Sequence, residues 1–146
     1  MRKFGLFAMQ KIILDTNVIV SALISHSAPT QIVYECVLEQ ALMLCLSDAI
    51  LEEYVEVLAR GKFSKVQGFR HNADVVLSKI RDLAQFYKPQ IAVELLSDAD
   101  DNKFLELALA SSADFLITGN TQDFTITEFE YTRIVTPREY WDLYRP

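Results

Sequence analysis

Ile12-Ile13-Leu14-Asp15-Thr16-Asn17 sets three apolar residues directly before an acid, a hydroxyl and an amide. The apolar triplet reads as a short strand buried on both faces, the form that strands take inside a parallel sheet. The polar triplet stands where strand gives way to helix. In open α/β sheets the carboxyl ends of the strands are where ligands bind. A buried carboxylate without a partner is costly, so an acid at this place has something to hold. Capping the next helix is the plain role for Asp15; ligating a cation is the sharper one.

The same alternation runs outward from this stretch. Residues 18–24 form a dense apolar helix, and Pro29 suits the first turn of another. Ile32, Val33, Cys36, Val37 and Leu38 keep helical spacing, and residues 42–46 make a second short apolar strand. Ser47 and Asp48 are cap types for a helix carrying Ile50, Leu51, Tyr54, Val57 and Leu58, which exposes Glu52, Glu53 and Glu56 and stops near Arg60-Gly61. Val75, Val76, Ile80, Leu83 and Phe86 predict a helix closed before Pro89. Residues 91–96 read as a strand or extended segment, and 97–102 as a polar turn into a helix with Phe104, Leu105, Leu107, Ala108 and Leu109. Residues 115–118 are the clearest later strand, 119–123 its polar exit, 133–135 a last strand and 137–144 a terminal helix. Short buried runs alternating with amphipathic helices predict an α/β fold with a parallel sheet.

The 146 residues fit one domain, with residues 1–8 as an N-terminal extension open to disorder and 9–146 as the folded unit. Arg2 and Lys3 begin the chain, but no long apolar region or small-residue cleavage site follows, so no secretory signal is expected. No apolar run approaches the roughly 18–20 residues of a membrane helix, which leaves a cytoplasmic protein as the expectation. Cys36 and Cys45 lie among apolar residues and read as buried reduced thiols, without the paired spacing of a zinc site. The formal net charge of −6 opposes broad, non-specific binding to nucleic acid. It is compatible with a nuclease whose acids hold cations, because bound ions invert the local field.

Asp15, Glu53, the run Asp98, Asp100 and Asp101, and the pair Asn120 and Asp123 all lie near strand exits or on the helices that follow. In a parallel sheet these exits share one edge, so the groups converge there. Converging carboxylates repel unless a cation stands between them, and all-oxygen donors without His or Cys suit Mg²⁺ or Mn²⁺. Each acid also has a plain reading: a cap for Asp15, a solvated helix face for Glu53, a charged first turn for 98–101, turn chemistry for Asp123. Lys62, Lys65 and Arg70 form the most basic stretch, as weak RNA-phosphate contacts or as a solvated loop. Phe63 and Phe69 beside them suit base stacking or core packing. His26 and His71 stand away from the acids in sequence.

Four segments carry a resemblance. They are Ile12-Ile13-Leu14-Asp15-Thr16-Asn17-Val18, Ile50-Leu51-Glu52-Glu53-Tyr54, residues 98–108 from Asp98 to Ala108, and Ala113-Asp114-Phe115-Leu116-Ile117-Thr118-Gly119-Asn120. In this order and spacing they resemble the PIN domain family, and within it the VapC-like toxin components of toxin–antitoxin systems. The resemblance implies a three-layer α/β/α sandwich around a mostly parallel sheet. It implies a Mg²⁺- or Mn²⁺-dependent endoribonuclease that hydrolyses RNA phosphodiester bonds. It maps the metal ligands onto Asp15, Glu53 and Asp101, with Asp101 preferred to Asp98 and Asp100 because Ala108 follows it by seven residues. Asn120 and Asp123 complete the catalytic group, and Thr16, Asn17 and Thr118 support it. The partners implied are RNA, a small antitoxin and a second copy of the chain, with no membrane. One position departs from the family: Asn120 stands where a fourth acid is common, and Asp123 is the nearest replacement. That departure keeps a second reading open, a weak or inactive PIN-like module that binds nucleic acid or protein. An aspartyl-nucleophile phosphatase would want a second Asp two residues after the first, where this chain has Asn17.

Overall fold

Ile12, Ile13 and Leu14 are fully buried because their strand lies in the middle of the sheet. A computed structural model describes residues 9–120 and 122–146, so residues 1–8, read above as an extension, lie outside it. The strands are β1 (Lys11–Leu14), β2 (Met43–Leu46), β3 (Gln85–Phe86), β4 (Phe115–Ile117), β5 (Glu128–Phe129) and β6 (Thr132–Val135). Their order is β3-β2-β1-β4-β6-β5, parallel except for β5 against β6. The helices are α1 (Thr16–Ile24), α2 (Ala28–Gln31), α3 (Asp48–Leu58), α4 (Phe69–Leu83), α5 (Asn102–Ser111) and α6 (Pro137–Glu139). They complete the three-layer α/β/α sandwich expected from the sequence. No described helix is long and apolar enough to cross a membrane.

The topology puts a crevice at one place. From β1 the chain moves outward through β2 to β3, then returns to β4 on the other side of β1. Neighbouring strands whose connections leave in opposite directions open a gap at their carboxyl ends. The register Leu14↔Ile117 sets the next residues, Asp15 and Thr118, side by side at that gap. The Asp15 amide donates to the Ile117 carbonyl at 3.0 Å, which carries the pairing one residue past the strand.

Local chemistry explains most boundaries. The Ser47 hydroxyl caps α3 by accepting from the Ile50 amide. Pro29 lies in the first turn of α2, as expected, but the helix then widens into a π-helical segment, Ile32–Val37. The terminal helix does the same at Tyr140–Tyr144. Cys36 and Cys45 are both buried, as their apolar neighbours predict.

Three expectations need correction. Helix α4 begins at Phe69, earlier than the apolar spacing suggested, behind Gly68 in a left-handed conformation (φ 75°). Phe86 belongs to the edge strand β3 rather than to that helix. Residues 91–96 form no strand; they run irregularly, tied down where the Val93 amide donates to Glu106 and the Leu96 amide to Asn102.

Candidate metal centre

Asp15 occupies the cap position of α1, yet its side chain makes no capping hydrogen bond. Its carboxylate instead accepts the Thr118 hydroxyl at 2.7 Å. Both side chains are buried. Burial raises the Asp15 carboxyl above its ordinary range; the Thr118 hydrogen bond works against this, and the charge of Glu53 adds to it. The backbone amides of Thr16 and Asn17 add smaller support to the charge on this buried acid.

Glu53 reaches the crevice through its neighbour. The fully buried Tyr54 hydroxyl donates to the Leu14 carbonyl at 2.6 Å, which ties α3 to the end of β1. Burial, then the charges of Asp15 and Glu53, keep that hydroxyl protonated well beyond its usual range, so it remains a donor. One Glu53 oxygen accepts the Thr16 hydroxyl. The other pairs with the Lys103 ammonium at 2.5 Å, and the same ammonium lies 3.3 Å from Asp100. Burial alone would lower Lys103, but the hydrogen bonds and charges of Glu53 and Asp100 outweigh it and hold the amine above its ordinary value.

Across Asp15 lies a second group of acids. Asp98, Asp101 and Asp123 each bring a carboxylate oxygen within 4.8 Å of the others. Asp98 accepts from the Asp100 amide at 3.0 Å, which shapes the 3-10 turn Ala99–Asp101 that presents Asp101 at the head of α5. One oxygen of Asp101 is buried and has no hydrogen-bond partner. Burial first, then its hydrogen bond with Asp123 and the charges of Asp15, Asp98 and Asp123, push this carboxyl up to about 7.

The turn after β4 aims Asp123. Asn120 donates from its side-chain amide to Asp123 at 2.7 Å and accepts the Asp123 backbone amide at 3.1 Å. The Asn120 backbone amide is held by the Thr118 hydroxyl at 3.0 Å. Phe124 packs edge-on against Phe104, centroids 6.4 Å apart, which pins this turn to α5. Asn120 thus orients a carboxylate where the family commonly has one of its own.

The residues singled out from sequence fall into three sets. Asp15, Thr118, Asp101, Asn120 and Asp123 meet at the crevice, with Glu53 and Thr16 on its other flank. Asn17 is exposed and lines an adjoining cleft of about 450 Å³ with Ser21, Pro29, Gly119, Asn120 and Pro137. Arg70 is engaged within the fold, pairing with Asp74 at 2.7 Å and donating to the Leu58 carbonyl. Lys62 and Lys65 are exposed, with the Lys62 ammonium over the Phe63 ring. Phe63 and Phe69 are buried and stack on each other, so they serve the core. His26 and His71 are exposed. Sequence reading passed over Lys103, which follows Asp101 by two residues and so lies in the first turn of α5. That spacing was the available signal.

Residues 11–122 match the PIN domain family. An uncharacterized protein of Methanocaldococcus jannaschii is 25% identical over 138 residues, covering 89% of this chain and 88% of that protein. The crystal structure of VapBC2 from Rickettsia felis, bound to a DNA fragment from their promoter, has the same fold with a TM-score of 0.55. Its sequence identity is 16%, over 87% of this chain and 98% of that one. With the family match running from β1 into the Asn120 turn, the chain belongs to the PIN domain family.

Proposed function

We propose that this chain is a divalent-metal-dependent endoribonuclease, acting as the toxin of a toxin–antitoxin pair. The observation that carries the reading is the partnerless buried oxygen of Asp101, set among the carboxylates of Asp98 and Asp123 and facing Asp15. The donors are all oxygens, so the site fits Mg²⁺ or Mn²⁺ better than a softer metal. Asp101 and Asp123 would hold the ion, with Asp98 and Asp15 beside them and Glu53 on the far flank. When bound, the ion supplies the positive charge that activates water and offsets charge on the scissile phosphate.

The chain's own residues do the rest. Thr118 fixes the rotamer of Asp15, and Asn120 fixes that of Asp123, so neither carboxylate must be ordered when substrate binds. The cleft beside them offers Asn17, Ser21 and Asn120, amides and a hydroxyl suited to the sugars and phosphates of a single RNA strand. An acidic crevice repels that strand until an ion is present, which couples substrate binding to metal binding. The fold shared with VapBC2 supports a small protein partner, the antitoxin, and a homodimer is the assembly that the sequence resemblance implies.

The test is cleavage of a labelled single-stranded RNA by the purified chain and by Asp15→Asn prepared in parallel. Cleavage by the wild-type chain is expected with Mg²⁺ or Mn²⁺, to stop with EDTA, and to fall by at least about a hundredfold in the variant. Full activity in Asp15→Asn would reject the site. The second reading, a binding module without chemistry, rests on Asn120 replacing an acid. It would be favoured by RNA or antitoxin binding with no cleavage in any divalent ion.

A further inference from the structure

Two clefts open beside the exit of β4. Gly119, Asn120 and Pro137 line the one that carries Asn17 and Ser21. Their chain neighbours Thr118, Thr136 and Glu139 line a second, of about 350 Å³, where Phe124 and Ile134 form a buried wall. Thr118 links this second cleft to the acids: its hydroxyl donates to Asp15 at 2.7 Å and accepts the Asn120 amide at 3.0 Å. A ligand in the cleft lies against the side chain that fixes Asp15. The lining suits a flat ring with polar edges, since small-ligand pockets combine apolar walls with a few placed polar groups. Phe124, Ile126 and Ile134 supply the apolar surface, and the exposed Thr125, Thr127 and Glu139 stand at the edge. One Glu139 oxygen accepts the Thr136 amide at 2.8 Å, and the Glu139 amide donates to the Thr136 hydroxyl at 3.1 Å. The carboxylate is thereby aimed but far from saturated, because an ionised carboxylate has about four acceptor sites.

We propose that the second cleft is a base subsite for the nucleotide beside the scissile phosphate, and that it prefers guanine. This rests on reading the crevice as a ribonuclease site. Single-stranded RNA is recognised through the edges of unstacked bases. A carboxylate accepts well from two adjacent N–H groups, and guanine presents such a pair in its ring N1–H and its exocyclic amino group. Adenine and cytosine set an acceptor nitrogen beside their amino group, and uracil flanks its one N–H with carbonyls, so each turns a lone pair towards Glu139. The apolar wall takes the ring of the base, and the Thr125 and Thr127 hydroxyls meet its remaining polar edge. With the base held there, the adjoining phosphate is carried past Thr118 towards Asp15.

The test is NMR titration of the full chain, in EDTA and with its isoleucine methyls labelled, with the 5′-monophosphates of guanosine, adenosine, cytidine and uridine. All four carry the same phosphate, so a difference between them reports the base. The guanosine nucleotide is expected to shift the Ile126 and Ile134 methyls, with a Kd at least about tenfold below the other three. Glu139→Gln keeps a side chain able to complete the capping box, so the terminal helix still starts at Pro137. Its amide offers one acceptor oxygen in place of two, and guanine is expected to bind it within about threefold of the other bases. No shift at those methyls, equal affinity for all four nucleotides, or an undiminished guanine preference in Glu139→Gln overturns the proposal. RNA cleavage by the wild-type chain alongside any of these results keeps the nuclease reading. Guanine binding by a chain that cleaves no RNA upholds the cleft as a base site and overturns that reading instead.

Discussion

Asp101 has one oxygen buried without a partner and three other carboxylates near enough to raise it, up to about 7 from 3.8. Between those values the folded chain holds a proton that the unfolded chain has lost. Stability of the metal-free protein therefore falls as pH rises through that window and levels off above it. The carboxyl is only partly buried, so solvent screening discounts the effect to on the order of 1–2 kcal/mol. Urea unfolding in EDTA at about pH 5 and about pH 8 is expected to show this loss in the wild type and little of it in Asp101→Asn. Mn²⁺ should reverse the trend, stabilising the wild type more at the higher pH, because the ion binds the ionised carboxylate. Equal pH slopes in the two proteins would mean that Asp101 does not carry the strain assigned to it. Asp15 and Thr118 were legible as a polar pair at strand ends. The roles of Asp98 and Lys103 were not, since a run of acids and one lysine on a helix do not reveal which face they share until the 3-10 turn is known.

At the scale of elements, the site depends on how the 98–101 turn is held. Asn102 does this from the start of α5: its buried side-chain oxygen accepts the amides of Leu95 at 3.2 Å and Leu96 at 2.9 Å. Asn102→Ala leaves those amides without that acceptor and is expected to cost about 1–3 kcal/mol. It should also weaken Mn²⁺ binding, since the turn carrying Asp98 and Asp101 loses its anchor; unchanged affinity in a folded variant would contradict this. The apolar alternation that made 91–96 look like a strand arises because Leu96 packs into the core and Val93 packs beside it, with no ladder to join. Strands β1, β2 and β4 were readable because burial on both faces demands uninterrupted apolar residues, and β6 by the buried pair Ile134 and Val135. The edge strand β3 was not, because both its residues are exposed and only two pair. The hairpin strand β5 is equally short. The π-helical segments leave no pattern distinct from ordinary helix.

At the scale of the molecule, one topological fact gathers the site. Reversal of the chain's direction between β1 and β4 opens the crevice, and register alone then sets Asp15 against Thr118. The other acids arrive on the turn before α5 and the turn after β4, held together by Phe104 and Phe124. The direction of that reversal is set by long-range pairing, so the sequence implied a shared edge without saying which strands met there. The ion site proposed here lies at Asp101 and Asp123, with Asp98 and Asp15 beside them. Anomalous diffraction from a crystal of the full chain soaked in Mn²⁺ tests it most directly. A peak beside Asp101 and Asp123 is the expected result; no peak beside Asp101 would contradict it.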